Sequence, residues 1–72
     1  MDAIVREKIQ KILKGEIRYT SANLAFNMLI SKMQKRIRVD AGSMDACMKE
    51  MDAFLERYPI VAKVDLANIA ML

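Results

Sequence analysis

The chain has no histidine and no tryptophan, one cysteine (Cys47), one proline (Pro59) and two glycines among its 72 residues. Each absence excludes something. Without histidine there is no default acid–base group for neutral-pH catalysis, and the commonest zinc ligand is missing. One cysteine cannot build a disulfide framework, and with no imidazole to activate it Cys47 reads as a structural thiol. Gly15 and Gly42 are too far apart to form a phosphate-cradling loop. Asp52 and Glu56 fall one helical turn apart, but no calcium-loop spacing or Glu-x-x-His pattern accompanies them. The aromatics are Tyr19, Phe26, Phe54 and Tyr58 alone, too few for a base-stacking platform. The expected protein is non-enzymatic, with no cofactor, no metal and no small-molecule substrate.

Long apolar runs are missing too. Arg6, Glu7 and Lys8 interrupt the N-terminal stretch, which therefore lacks the apolar core of a signal peptide. The longest charge-poor stretch follows Pro59 and is broken by Lys63 and Asp65, well short of the roughly 20 apolar residues a membrane span needs. A soluble, cytoplasmic chain with no membrane partner is the expectation.

What the chain does have is a partition of charge. Residues 1–39 carry nine Lys/Arg against three acids, a net +6, whereas residues 40–72 carry three bases against six acids, a net −3. Either the halves complement one another or the basic half faces something acidic. Apolar residues make up 54% of the sequence, more than a lone small domain hides easily. A homodimer or a protein-partnered subunit follows from that surplus.

Apolar spacing predicts an all-α fold over residues 1–72: a small bundle of three amphipathic helices plus a C-terminal helical or partly extended element. Val5, Ile9, Ile12 and Leu13 form a stripe on a first helix from Asp2 to Lys14, with a Glu7–Lys11 pair outside it and Gly15 as its left-handed stop. Glu16–Tyr19 is a connection or a short extended piece. Thr20 and Ser21 are expected N-caps of a second helix, whose Ala22, Phe26, Leu29, Ile30, Met33 and Ile37 share one face and which ends near Arg38. Asp40-Ala41-Gly42 is a turn, with Ser43 as cap of a third helix. That helix has the cleanest amphipathic face in the chain: Met44, Cys47, Met48, Met51, Phe54, Leu55 and Tyr58. It stops before Pro59. Beyond it, Pro59 is either the first residue of a fourth helix with Ile60, Val64, Ala67 and Met71 on one face, or Asp65 caps a shorter helix after an extended Ile60–Val64. Edge pairing of that segment with Ile17–Tyr19 or Ile37–Val39 is the weaker option.

Two constellations could carry function. Leu24 and Met28 interrupt what should be the polar face of the second helix. With Leu66, Ile69, Met71 and Leu72 of the tail they form the expected partner-binding set for a protein-interaction or oligomerisation module; alternatively, the tail folds over the pair. The methionine-rich stripe of the third helix (Met44, Met48, Met51) is read as filling an irregular core. The second constellation, Lys32, Lys35, Arg36 and Arg38, lies near the end of the second helix. With Asn23 and Asn27 as base readers it would serve a nucleic-acid-binding accessory protein. The simpler reading of those cations is a solvated helix end, favoured by the macrodipole or paired with acids of the third helix.

Overall fold

A computed structural model describes all 72 residues. They form four helices and no strand: α1 (Ala3–Leu13), α2 (Leu24–Val39), α3 (Met44–Arg57) and α4 (Pro59–Ala70), with a 3-10 turn at Ala41–Ser43 between α2 and α3. The tail is a full helix with Pro59 at its start, so the extended alternative for Ile60–Val64 and its edge pairing do not occur. Proline fits there because a first-turn N–H has no intrahelical partner to lose.

Local chemistry sets the helix ends. Asp2 caps α1, its Oδ1 accepting from the backbone N–H groups of Ile4 (2.7 Å) and Val5 (3.3 Å). At the other end Gly15 takes φ +80°. The Gly15 N–H donates to Ile12 O and the Glu16 N–H to Lys11 O, the paired bonds of a Schellman stop. The second helix starts later than Thr20 or Ser21 would place it. Asn23 is its N-cap, accepting from Ala25 N (2.9 Å) and Phe26 N (3.3 Å), and Ala22 lies outside the helix. Ser21 has a different task, since its Oγ accepts from the Asn23 N–H at 2.9 Å. Ser43 likewise makes no side-chain cap on α3. It closes the 3-10 turn by donating from Oγ to Asp40 O at 2.8 Å, while Asp40 Oδ1 accepts from the Gly42 N–H at 3.0 Å. Ser43 is already in the helical region (φ −81°, ψ −1°) and lacks the extended backbone an N-cap needs, whereas Asp40 (φ −140°, ψ 99°) has it.

The core joins Val5, Ile9, Ile12 and Leu13 of α1 with Phe26, Ile30, Met33 and Ile37 of α2, Cys47, Met48 and Met51 of α3, and Ile69 of α4. Ile17, Tyr19, Leu29, Met44, Phe54, Leu55 and Leu66 pack around it half-buried. The methionines at 33, 48 and 51 are core residues, and Cys47 is buried. All four aromatics form one run: Tyr19 meets Phe26 edge-on at 6.3 Å, Phe26 meets Phe54 at 5.8 Å, and Phe54 tilts against Tyr58 at 5.0 Å. That run ties the α1–α2 connection to α2 and α3 through contacts of favourable quadrupole geometry. Helix α1 packs against both α2 and α4, so it stands between the two helices that carry the expected partner-binding residues.

Candidate interaction surfaces

Helix α4 has only three polar residues, Lys63, Asp65 and Asn68. Its apolar residues occupy two opposite sides, and hydrophobic pattern alone cannot choose which side faces inward. The structure turns Ala62, Asp65 and Ile69 into the protein, with Leu66 half-buried beside them. The stripe Ile60, Val64, Ala67 and Met71 faces solvent: Ile60 is 85% exposed, Val64 63% and Met71 86%. Steps of four, three and four residues place these four side chains on one line along the helix.

Two polar contacts hold α4 in this rotation. The Tyr19 hydroxyl donates to Asp65 Oδ1, and Lys8 Nζ donates to the Ala70 carbonyl at 2.7 Å, satisfying a C-terminal carbonyl of the helix. Asp65 is 3% exposed, and a carboxylate buried this far demands a partner. Burial, with the hydrogen bond to Asp65 second, pushes the Tyr19 phenol up to about 12 from its usual 10.0. The nearby polar side chains of Asn68 and Ser21 act in the opposite direction. Beside this contact, Ser21, Ala22 and Asn23 face Val61, Val64, Asp65 and Asn68 across a shallow open groove of about 330 Å³.

The expected partner-binding set therefore separates. Leu24 (72% exposed) and Met28 (63%) are uncovered, so the tail does not fold over them. Met71 and Leu72 are exposed as well. Ile69 is not a surface residue: it is fully buried in the core cluster, and Leu66 packs against that cluster. Both were assigned to an interface because the tail's inward face was unknown, and the Tyr19–Asp65 contact selects the other side. Conversely, Ile60 and Val64 belong to the exposed stripe and were absent from that set. Their spacing placed them on one face of a possible fourth helix, with no direction assigned to that face.

The residues expected to read nucleic acid divide likewise. Asn23 caps α2. Asn27 uses its amide twice on Ser21, accepting from the backbone N–H and donating to the carbonyl, each at 2.7 Å. Neither asparagine presents a free edge to a base. Arg36 pairs with Glu50 of α3 at 3.0 Å, and Arg6 of α1 with Asp52 at 3.4 Å. These two contacts are where the basic and acidic halves of the chain meet. The Glu7–Lys11 pair is present at 3.9 Å. Lys32, Lys35 and Arg38 reach no carboxylate and lie exposed on the α2 stripe that begins with Leu24 and Met28. No helix is long and apolar enough to cross a membrane.

Comparison with known proteins adds no relative: no family model matches the chain, nor does any curated protein or solved structure.

Proposed function

We propose that this chain is a small protein-interaction module that works by self-association through the outer stripe of α4. The observation that carries the reading is that Ile60, Val64 and Met71 are well exposed while the opposite side of the same helix fills the core. Burying a large aliphatic side chain is worth about 1.5–3 kcal/mol, and this stripe leaves that gain unused within the monomer. A second copy suits the stripe because no charge stands on its line. Lys63 is the one charged residue at its edge, so pairing identical surfaces brings together one pair of exposed lysines and no more. A stable interface removes about 800 Å² per partner, against a total surface of 4967 Å² for this chain.

Leu24 and Met28 are a weaker basis for self-association. They share their stripe with Lys32, Lys35 and Arg38, and two copies paired along it would bring these cations together. The nucleic-acid reading rests on those three cations alone, since both asparagines are engaged inside the chain and apolar Leu24 and Met28 occupy the same stripe. Multi-angle light scattering tests the α4 reading. The wild-type chain is expected to show a dimer mass that rises with concentration, and Val64→Asp a monomer mass with an unchanged helical spectrum. A wild-type monomer at every concentration overturns the reading, as does a Val64→Asp dimer.

A further inference from the structure

Helix α2 presents a second exposed surface, independent of α4. From Leu24 to Val39 it carries Lys32, Lys35, Arg36 and Arg38 and no acid. Phe26, Ile30, Met33 and Ile37 turn inward, and the helical repeat then sends Leu24, Met28, Lys32, Lys35 and Val39 outward together. All five are exposed, Val39 at 89%. Arg38 lies at one margin of this face, and Arg36 at the other, where Glu50 holds it at 3.0 Å. We propose that this face rests on an anionic lipid surface, with α2 lying flat in the headgroup plane. The proposal does not depend on self-association through α4.

The face mixes the two kinds of side chain that such a surface takes. Leu24, Met28 and Val39 supply aliphatic groups for the boundary between headgroups and acyl chains, and Lys32, Lys35 and Arg38 supply cations for anionic headgroups. Long lysine and arginine stems let the charge reach the headgroups beside apolar neighbours. The charge is also unanswered within the chain. Asp40, the acid that follows the helix, turns its Oδ1 to the Gly42 N–H, and Glu50 is taken by Arg36. A nucleic-acid backbone would use the cations but set Leu24, Met28 and Val39 against phosphates, and Asn23 and Asn27 are engaged inside the chain. An acidic amphipathic helix needs a groove for its apolar side, and this face is the outward ridge of a single helix. No helix here is long and apolar enough to cross a membrane, and a peripheral contact requires none.

Co-sedimentation with lipid vesicles tests the proposal. Vesicles of mixed phosphatidylserine and phosphatidylcholine are compared with vesicles of phosphatidylcholine alone. The wild-type chain is expected to bind the mixed vesicles at low salt, to be released as salt screens the charges, and to leave the neutral vesicles unbound. Each cation near an anionic surface strengthens binding about fivefold, so Lys32→Gln/Lys35→Gln/Arg38→Gln should weaken it on the order of 100-fold. The helical spectrum should not change, because all three side chains are exposed. Lys49→Gln, on the outer side of α3, is the control and should weaken binding less than Lys35→Gln alone. Leu24→Gln/Met28→Gln should weaken vesicle binding on the order of tenfold while keeping its salt dependence. No binding to the mixed vesicles at low salt overturns the proposal, as does binding that survives loss of the three cations. Tighter binding to duplex DNA than to the mixed vesicles, untouched by Leu24→Gln/Met28→Gln, overturns it in favour of a nucleic-acid backbone.

Discussion

Helices α3 and α4 follow one another with only Tyr58 between them, and they treat their apolar side chains in opposite ways. Helix α3 places Cys47, Met48 and Met51 in the core and packs Met44, Phe54 and Leu55 at its margin. Its outer side is charged, with Asp45, Lys49, Asp52 and Glu56. Helix α4 sends one large side chain, Ile69, into the core and leaves an aliphatic line in water. An amphipathic helix has one apolar stripe and one destination for it. A helix apolar on both sides has two, and in a chain of 72 residues the core has room for only one of them. The exposed side of α4 is therefore the apolar surface on which the proposed self-association rests, whereas the exposed side of α3 is ordinary solvated charge.

The largest effect should separate the two sides of α4. Ile69→Ala removes a fully buried side chain and should cost about 2–5 kcal/mol of stability. Val64→Ala on the outer stripe should stay within about 0.5 kcal/mol for the monomer. Urea denaturation by circular dichroism measures both, at dilutions where each chain is monomeric so that association does not add to the apparent stability. Equal losses would erase the distinction between the sides. The two alanines sharpen it next. Ala62 is almost wholly buried, so Ala62→Leu overpacks the contact of α4 with the core and should cost about 1–3 kcal/mol. Ala67 is exposed, and Ala67→Leu should keep monomer stability while changing the concentration at which light scattering reports dimer.

The same contrast explains what could be read before folding. The stripe of α3 was legible from Met44 to Leu55 because its polar side is unambiguous, with Tyr58 alone falling outside the helix and exposed, and α1 was legible because Gly15 and the Val5–Leu13 spacing agree on where it runs. The start of α2 was misplaced because Thr20, Ser21 and Asn23 are all good caps. The choice fell to Asn27, whose side chain fastens to the Ser21 backbone six residues away, a contact local propensity does not encode. For α4, the line Ile60, Val64, Ala67 and Met71 was visible as a face. Its direction was not, because that depends on Asp65 finding Tyr19 from 46 residues away. The candidate site was thus legible as a pattern without a direction, and Ile69 was placed at the surface for the same reason.

If the Tyr19–Asp65 bond sets the rotation of α4, Tyr19→Phe is the mildest way to test the comparison. The ring stays, and with it the edge-on contact with Phe26; only the hydroxyl is lost. A hydrogen bond to a charged group contributes about 1.5–3 kcal/mol, and Asp65 is too deeply buried for water to replace it, so a loss in that range is expected. The pH dependence carries the sharper signature. In the folded chain the phenol holds its proton up to about 12, against 10.0 when free. Between those values the folded state binds more proton than the unfolded state, so stability falls as pH rises. The contribution is complete below about pH 10 and is lost as pH climbs through 10 towards 12. Denaturation midpoints for the wild-type and Tyr19→Phe chains should therefore converge across that window. A constant gap between the two curves would mean that Tyr19 packs against α4 without directing it, and the choice of inward face would have to come from Ala62 and Ile69 alone.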